Sequence, residues 1–246
     1  METAKIFDFS NGEELNIKVL DGGKRVKLTK SGKIKATKNN NKESRTVYPI
    51  KDLKDVERCK EFLRKRADEA PKRYKKSYAK DLMLFCVGCN IGLRVSDLLR
   101  LRWSDIFKPG TRQFKEFYVP KEKKTGKTRY TYFNQSFKNA IRDYLKRIPD
   151  TDTSGDGFIF TNRKGEQLSD ESVNRLMKML QNYLELSYPL STHSLRKTFA
   201  YHMYIKSGMD LGLVQNLLNH STSYQTLKYL GIDKEVQKKA YKELNL

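Results

Sequence analysis

The apolar residues that follow Pro49 recur at the spacing of amphipathic helices, and this periodicity constrains the possible folds more than any other feature of the chain. Positions three and four apart share one face of a helix, and that face must be buried against other elements. Helical faces are predicted at Leu53, Val56, Cys59 or Lys60 and Leu63; over residues 78–87 and 95–99; at Phe137, Ala140, Ile141, Tyr144, Leu145 and Ile148; and at Val173, Leu176, Met177, Leu180 and Leu184. Further helices are predicted over residues 192–206, 211–218, 223–229 and 234–244.

The charge balance limits the kind of partner. Fifty Lys and Arg residues stand against 29 Asp and Glu, giving a formal net charge of +21 and a pI near 9.8. Such a balance favours a polyanion, above all nucleic acid. Residues 82–87 form the longest strongly apolar run, too short to span a bilayer, and residues 1–10 lack a secretion signal. We therefore expect a soluble cytoplasmic protein without a membrane partner.

Two parts of the chain show the period of two that is typical of β-strands. Between Phe114 and Phe133 the alternation breaks at Thr125-Gly126, which predicts a hairpin with a basic turn. Residues 15–19 and 26–29 alternate around Gly22-Gly23, which predicts a small antiparallel β unit. Residues 22–42 hold eight basic and no acidic side chains, typical of either a solvated loop or an arm that faces DNA. The predicted fold class is α+β, mainly α, with a short basic β-like segment over residues 1–48 and one domain over residues 49–246.

The three cysteines, Cys59, Cys86 and Cys89, are an odd number in a chain without a secretion signal, which argues against a disulfide framework. Cys86 and Cys89 form a C-V-G-C pattern, but it lies in an apolar helical run without a matching Cys or His pair. We expect reduced thiols packed in the core and no metal site.

Four short motifs carry residues suited to phosphate chemistry. They read G-L-R-V-S-D-L-L-R-L-R-W over residues 92–103, K-K-T-G-K from Lys123, T-H-S-L-R from Thr192, and L-L-N-H-S-T-S-Y-Q-T-L-K-Y-L-G-I over residues 217–232. A phosphodiester is negatively charged, so an enzyme that opens it without a metal must aim cations at its oxygens. Arg94 and Arg196 suit this task because a guanidinium binds two oxygens at once. His193 lies three residues before Arg196 and shares its helical face.

A nucleophile and an acid complete the predicted site. A tyrosine hydroxyl has a reference pKa near 10, so it needs nearby cations or a base to attack at neutral pH. A lysine on a flexible hairpin can protonate the leaving 5′ oxygen, and Lys124 is our choice. Its neighbours Lys121, Lys123 and Lys127 crowd the same turn, and nonspecific contacts to a DNA backbone explain these lysines equally well.

The order and spacing of these motifs resemble the catalytic domain of the tyrosine recombinases, the phage and transposon integrases, over residues 49–246. The resemblance implies a tyrosine-recombinase-like (DNA breaking-rejoining) fold with a small three-stranded sheet, and a 3′-phosphotyrosine intermediate formed without cofactor or metal. It also implies double-stranded DNA as the partner, a homo-tetramer on DNA, no small-molecule substrate, and a prokaryotic, phage or mobile-element origin. The implied roles are Tyr229 as nucleophile, Arg94 and Arg196 as phosphate clamp, His193 as general acid/base, His220 as a further donor to the phosphate, Lys124 as acid on the leaving group, and Asp97 as orienting carboxylate.

Other interpretations remain open at this point. Most integrases carry a helical core-binding domain before the catalytic one, whereas β-like basic sequence stands there in this chain, so strand cleavage is expected with a different mode of clamping DNA. A type IB topoisomerase and a non-catalytic DNA-binding accessory protein are the alternatives. Tyr224 is the fallback nucleophile, and His202 is expected to be structural. The predicted helix over residues 234–244 either caps the chain or docks on a neighbouring protomer.

Overall fold

The structure is a computed structural model of the 246-residue chain, and it describes residues 3–8, 13–19, 25–27, 47–124, 126–232, 238 and 241–244. The chain divides into two compact units, Met1–Arg45 and Thr46–Leu246. The domain boundary expected between residues 48 and 49 stays a prediction.

The first unit contains an antiparallel sheet of three strands in the order β1-β2-β3. The strands are β1 (Thr3–Asp8), β2 (Glu13–Val19) and β3 (Arg25–Lys27). Strands β2 and β3 coincide with the two alternating stretches of the sequence. The alternation does not predict β1, because Ile6 and Phe7 are adjacent apolar residues. The turn expected at Gly22-Gly23 and most of the basic stretch up to residue 42 lie outside the described residues.

The second unit is mainly helical. Its helices are α1 (Leu53–Asp68), α2 (Lys75–Ile91), α3 (Val95–Leu98), α4 (Trp103–Ile106), α5 (Gln135–Arg147), α6 (Asp170–Leu184), α7 (Thr192–Lys206), α8 (Leu211–Leu217) and α9 (Ser223–Leu230). Except for the short α4, each agrees with a predicted helix; the helix predicted over residues 234–244 lies mostly outside the described residues. None of the helices in the described ranges has the length and apolar character needed to cross a membrane.

Helix α2 is the centre of the main core and packs against α1, α5 and α7. It is apolar around most of its circumference, as expected for a helix covered on several sides. Gly88 allows α7 to approach closely, because a Cβ atom added there would lie 2.9 Å from the Leu195 Cδ1 atom. On α1 the buried positions include Val56, Cys59 and Leu63. The prediction that Leu53 shares this buried face is wrong: it is 60% exposed, because it is the first residue of the helix.

The sheet of the second unit is smaller than predicted. Within the described residues it has two strands, β4 (Phe117–Tyr118) and β5 (Thr131–Tyr132), where three were expected. Phe107 and Phe114, which precede β4, form an isolated antiparallel bridge and not a further strand pair. The fold class, α+β and mainly α, is confirmed.

The three cysteines are free thiols in the main core. Burial raises the pKa of Cys59 to about 12 and that of Cys86 to about 11, and it raises the pKa of Cys89 well above its ordinary value. These thiols are therefore protonated and unreactive at neutral pH.

A second, smaller core joins α7, α8 and α9. Its fully buried members are Ala200, Val214, Leu218 and Leu230. Tyr229 is half-buried and packs against this cluster. The cluster therefore fixes α9, which carries Tyr229, against α7, which carries His193 and Arg196.

Candidate active site

Arg94 is positioned by the end of the central helix. Helix α2 stops at Gly92, whose φ of 58° lies in the left-handed region that favours glycine. A Cβ atom at this position would lie 2.3 Å from the Phe199 ring, so a side chain is excluded here on steric grounds as well. The chain then reverses, and Arg94 becomes the N-cap residue of α3. The G-L-R motif thus forms the turn that places Arg94 next to the C-terminal end of α2.

Arg196 is held in the interior by two backbone carbonyls. Its side chain is 1% exposed, and its guanidinium donates from Nη1 to Gly92 O at 2.9 Å and from Nη2 to Leu218 O at 2.6 Å. Burial, and next the charge of Arg94, lowers the pKa of Arg196 to about 10. The guanidinium therefore remains charged at neutral pH, in a fixed orientation that joins α7 to the ends of α2 and α8.

His220 and Tyr229 lie face to edge. Their ring centroids are 4.7 Å apart at an interplanar angle of 65°, and His220 Nδ1 lies 3.1 Å from Thr226 Oγ1. Burial and then the charges of Arg196 and Arg94 lower the pKa of His220 to about 4. The ring is neutral at pH 7, and when the Thr226 hydroxyl donates to Nδ1, the ring proton is on Nε2. His220 then offers a neutral N–H donor beside the tyrosine.

Tyr229 is surrounded by positive charge. Its ring centroid is 5.8 Å from the Arg196 guanidinium carbon and 5.5 Å from the Lys197 ammonium. These cations stabilise negative charge that develops on the tyrosine oxygen. By contrast Tyr224, on the same helix, is 71% exposed, and no contact within the described part of the chain joins it to either arginine. The structure thus brings Tyr229, and not Tyr224, to Arg196 and His220.

His193 lies in the first turn of α7 on the exposed side of the site. Partial burial lowers its pKa, and the charges of Lys197, Arg196 and Lys124 lower it further. Lys124 is itself exposed, but it lies close enough to His193 to influence that pKa. The charge of this hairpin lysine therefore acts on the ring of His193.

The base of the hairpin that carries Lys124 is joined to the α2–α3 turn. Asp97 is buried, and its Oδ1 atom accepts a hydrogen bond from Lys123 N at 3.0 Å. Glu122, also buried, forms an ion pair with Arg94. Neither Glu122 nor its role was expected from the sequence, although Glu122 is the one acid within the basic stretch 121–129. A single acidic residue in a basic stretch is the sequence feature that could have indicated a buried ion pair at Glu122.

Arg129, a buried cation, is the second residue near the site that the motifs do not predict. It donates from Nη2 to Ile91 O at 2.8 Å, from Nη1 to Gly92 O at 3.2 Å and from Nε to Thr131 Oγ1 at 3.1 Å. Burial lowers its pKa to about 10, with Glu122 acting in the opposite direction. The carbonyl of Gly92 is thus shared by Arg129 and Arg196.

Lys197 is a third functional candidate that the sequence does not reveal. Its ammonium donates to Val47 O at 2.6 Å and to Lys228 O at 3.3 Å, directly before Tyr229. Burial, and next the charge of Lys228, lowers the pKa of Lys197 to about 8. His202, expected to be structural, contacts Ile50 O through Nε2 at 3.0 Å. Helix α7 therefore holds both the segment around Val47 and the backbone before Tyr229.

The guanidinium and ammonium groups gathered here carry positive charge, which suits the binding of an anion. Within the described ranges, no group of three or more His, Cys, Asp or Glu side chains is placed to hold a metal ion. Asp97 and Glu122 are both engaged with protein groups.

The comparison with known proteins identifies the family. The model of the phage integrase family matches residues 54–235. The probable integrase/recombinase YoeC of Bacillus subtilis is 30% identical over 197 residues, which are 80% of this chain and 96% of YoeC. The tyrosine recombinase XerC of Thermodesulfovibrio yellowstonii is 28% identical over 170 residues, 67% of this chain and 54% of that protein. The chain belongs to the phage integrase family; it spans nearly all of YoeC but about half of XerC.

Solved recombinase structures share the fold. XerH bound to palindromic difH substrate in a post-cleavage complex has a TM-score of 0.59 and 22% identity, covering 78% of this chain and 51% of that chain. The XerA recombinase has a TM-score of 0.57 and 18% identity, covering 81% of this chain and 66% of that chain. At these identities the likeness concerns the fold, and it agrees with the family assignment.

Proposed function

We propose that this protein is a site-specific recombinase that cleaves and rejoins DNA strands through a 3′-phosphotyrosine intermediate, with Tyr229 as the nucleophile. The observation that supports this proposal most strongly is the position of the Tyr229 ring. It packs against the ring of His220, and its centroid lies 5.8 Å from the guanidinium carbon of Arg196. A half-buried tyrosine among cations suits attack on an anionic phosphorus better than it suits a purely structural role.

The first step is a transesterification. The Tyr229 oxygen forms a bond to phosphorus, the bond from phosphorus to the 5′ oxygen breaks, and a free 5′ hydroxyl leaves. Arg94 and Arg196 bind the non-bridging oxygens, where negative charge increases, and His220 donates a further hydrogen bond from Nε2. Because the phosphotyrosine retains an ester bond, a 5′ hydroxyl of another strand can reverse the reaction and rejoin the DNA.

Two protons must move in this step. His193 accepts the tyrosine proton, since its lowered pKa leaves the ring neutral at pH 7. Lys124 gives a proton to the leaving 5′ oxygen. Its electrostatic influence on His193 supports this assignment. Asp97 keeps the hairpin in register through its hydrogen bond from Lys123 N.

The proposed partner is double-stranded DNA, and the proposed active assembly is a homo-tetramer that joins two duplexes. The net charge of +21 and the DNA-bound recombinase structures of the same fold support the first part. Recombination of two duplexes requires four strand cleavages, which supports the second. We propose that the arginines supply the charge that a metal would otherwise provide, so cleavage should persist in a chelator.

A nicked suicide duplex tests this function, because diffusion of the short fragment that carries the free 5′ hydroxyl traps the covalent intermediate. The wild-type protein should form an adduct with the DNA, with and without EDTA, and Tyr229→Phe should form none. The absence of any adduct at saturating DNA would instead favour a DNA-binding protein without strand cleavage.

A further inference from the structure

Resting on the proposed function, we propose that Glu122 is a positioning residue for strand cleavage: its buried carboxylate holds Arg94 from the interior, orients the guanidinium toward the scissile phosphate, and ties it to the hairpin that carries Lys124. None of the four sequence motifs includes this residue. The burial of the pair, its charges and the place of Glu122 in the hairpin support this role.

Burial indicates the side from which Arg94 is held. The side chain of Glu122 is 1% exposed and that of Arg94 is 15% exposed. The Arg94 atom in the ion pair, Nη1, is itself buried. A DNA phosphate must approach from the open side, so the carboxylate and the phosphate contact different parts of the guanidinium. Glu122 therefore holds Arg94 in place instead of competing with the phosphate.

The charges indicate why a carboxylate is needed at this point. The negative charge of Glu122 opposes the effect of burial on the pKa values of Arg129, Arg196 and His220. It thus lies near all of these groups as well as Arg94. A buried cation without a counter-ion is strongly destabilised, so removing one partner of a buried pair destabilises the structure around the other. With Asp97 as the second buried carboxylate, three guanidinium groups still leave an excess of positive charge for the phosphate.

The position of Glu122 in the chain links two parts of the site. It lies two residues before Lys124, and the next backbone N–H, that of Lys123, is bound by Asp97. On the returning arm of the hairpin, Arg129 binds the carbonyls of Ile91 and Gly92. The base of the hairpin is therefore fixed on both arms to the turn that carries Arg94. A change at residue 122 should disturb the phosphate clamp and the proposed acid together.

The first test compares Glu122→Gln with Glu116→Gln, an exposed acid in the same hairpin that undergoes the same change of charge. The rate of adduct formation on the suicide duplex should fall at least about 10-fold in Glu122→Gln, because the clamp loses its alignment, while the Kd for DNA changes less than about 3-fold. Glu116→Gln should match the wild type in both. Thermal unfolding reports whether each variant is folded.

A double-mutant cycle with Arg94→Ala separates positioning from a general effect on structure. If Glu122 acts through Arg94, then adding Glu122→Gln to Arg94→Ala should change the cleavage rate less than about 2-fold further. If Glu122→Gln fails to fold, Glu122→Asp keeps the charge but withdraws the carboxylate by one methylene, and it should show the same loss of cleavage.

Three results would overturn the proposal. Faster cleavage with tighter DNA binding in Glu122→Gln would mean that the carboxylate competes with the phosphate. Cleavage equal to that of the wild type would mean that the pair has no part in the reaction. Equal losses in the presence and absence of Arg94 would mean that Glu122 acts independently of it. An adduct that persists in Tyr229→Phe would contradict the proposed function itself, which is a separate outcome.

Discussion

The Arg196 guanidinium carries its charge in the protein interior, where burial of a charge is unfavourable because the charge loses its hydration. The group is almost fully buried, and burial lowers its pKa to about 10, yet this leaves it protonated at neutral pH. The carbonyls of Gly92 and Leu218 offset part of the lost hydration and set the direction of the fork. The residue is thus a preorganised donor, whose orientation is determined before any phosphate arrives.

The first prediction concerns this fork. In Arg196→Lys the ammonium cannot bind both carbonyls and a phosphate with the same geometry, so the cleavage rate should fall on the order of 100-fold or more. Single-turnover cleavage of the suicide duplex measures the effect. A rate within 10-fold of the wild type would show that charge alone suffices at this position.

A second prediction follows from the lowered pKa of His220, which is about 4 instead of 6.5. The folded state binds this proton less tightly than the unfolded chain, so its contribution to stability is present above pH 6.5 and is lost as the pH falls toward 4. The full difference is at most about 3 kcal/mol, and solvent around the half-buried ring reduces it. Urea unfolding between pH 7 and pH 4.5 should show a steeper loss in the wild type than in His220→Gln. Parallel curves would contradict the assignment.

The helices and the motifs could be predicted from the sequence, because both depend on residues that lie close together in the chain. The bounds of α7 and the four short motifs are of this kind, as is the pairing of His193 with Arg196 on one face. The contacts of Glu122 with Arg94 and of Lys197 with Val47 join residues far apart in the chain, and periodicity carries no information about such pairs. For the same reason the hairpin was predicted but the choice among its lysines was not settled.

At the scale of elements, Gly92 determines how α2 gives way to α3. In Gly92→Ala the added methyl group meets the Phe199 ring and the residue retains a strained positive φ. We expect the free energy of unfolding to fall by about 3 kcal/mol or more. Gly110→Ala is the matched control: its φ is 68° with open space around it, so it should cost about 1 kcal/mol. Urea unfolding of both variants measures this; equal losses would contradict the packing argument.

Lys197 joins α7 to α9 and to the segment around Val47, and its replacement tests whether that link positions the nucleophile. Lys197→Met leaves the carbonyls of Val47 and Lys228 without this donor, so stability should fall by about 1–3 kcal/mol. The rate of adduct formation should fall at least about 10-fold, because the backbone before Tyr229 loses its anchor. Lys206→Met, an exposed position at the end of the same helix, should leave the rate unchanged. If both variants cleave like the wild type, Lys197 has no positioning role.

At the scale of the whole molecule, the site accounts for only a few of the fifty Lys and Arg side chains. The remainder supply a long-range attraction to phosphate backbones that does not depend on base sequence. Family membership could be predicted from the sequence, because the four motifs occur in the family's order between residues 92 and 232. The sheet of the first unit was foreseeable only in part, since β1 lacks a clear alternation.

Peptide mapping of the trapped adduct shows whether Tyr229 forms the covalent bond to DNA. Trypsin cleavage after Lys206, Lys228 and Lys234 places Tyr224 in residues 207–228 and Tyr229 in residues 229–234, so the two tyrosines are separated. After nuclease digestion, mass spectrometry should find a nucleotide attached through its 3′ phosphate to the peptide 229–234. A modified peptide 207–228, or an adduct that Tyr229→Phe still forms, would contradict the account.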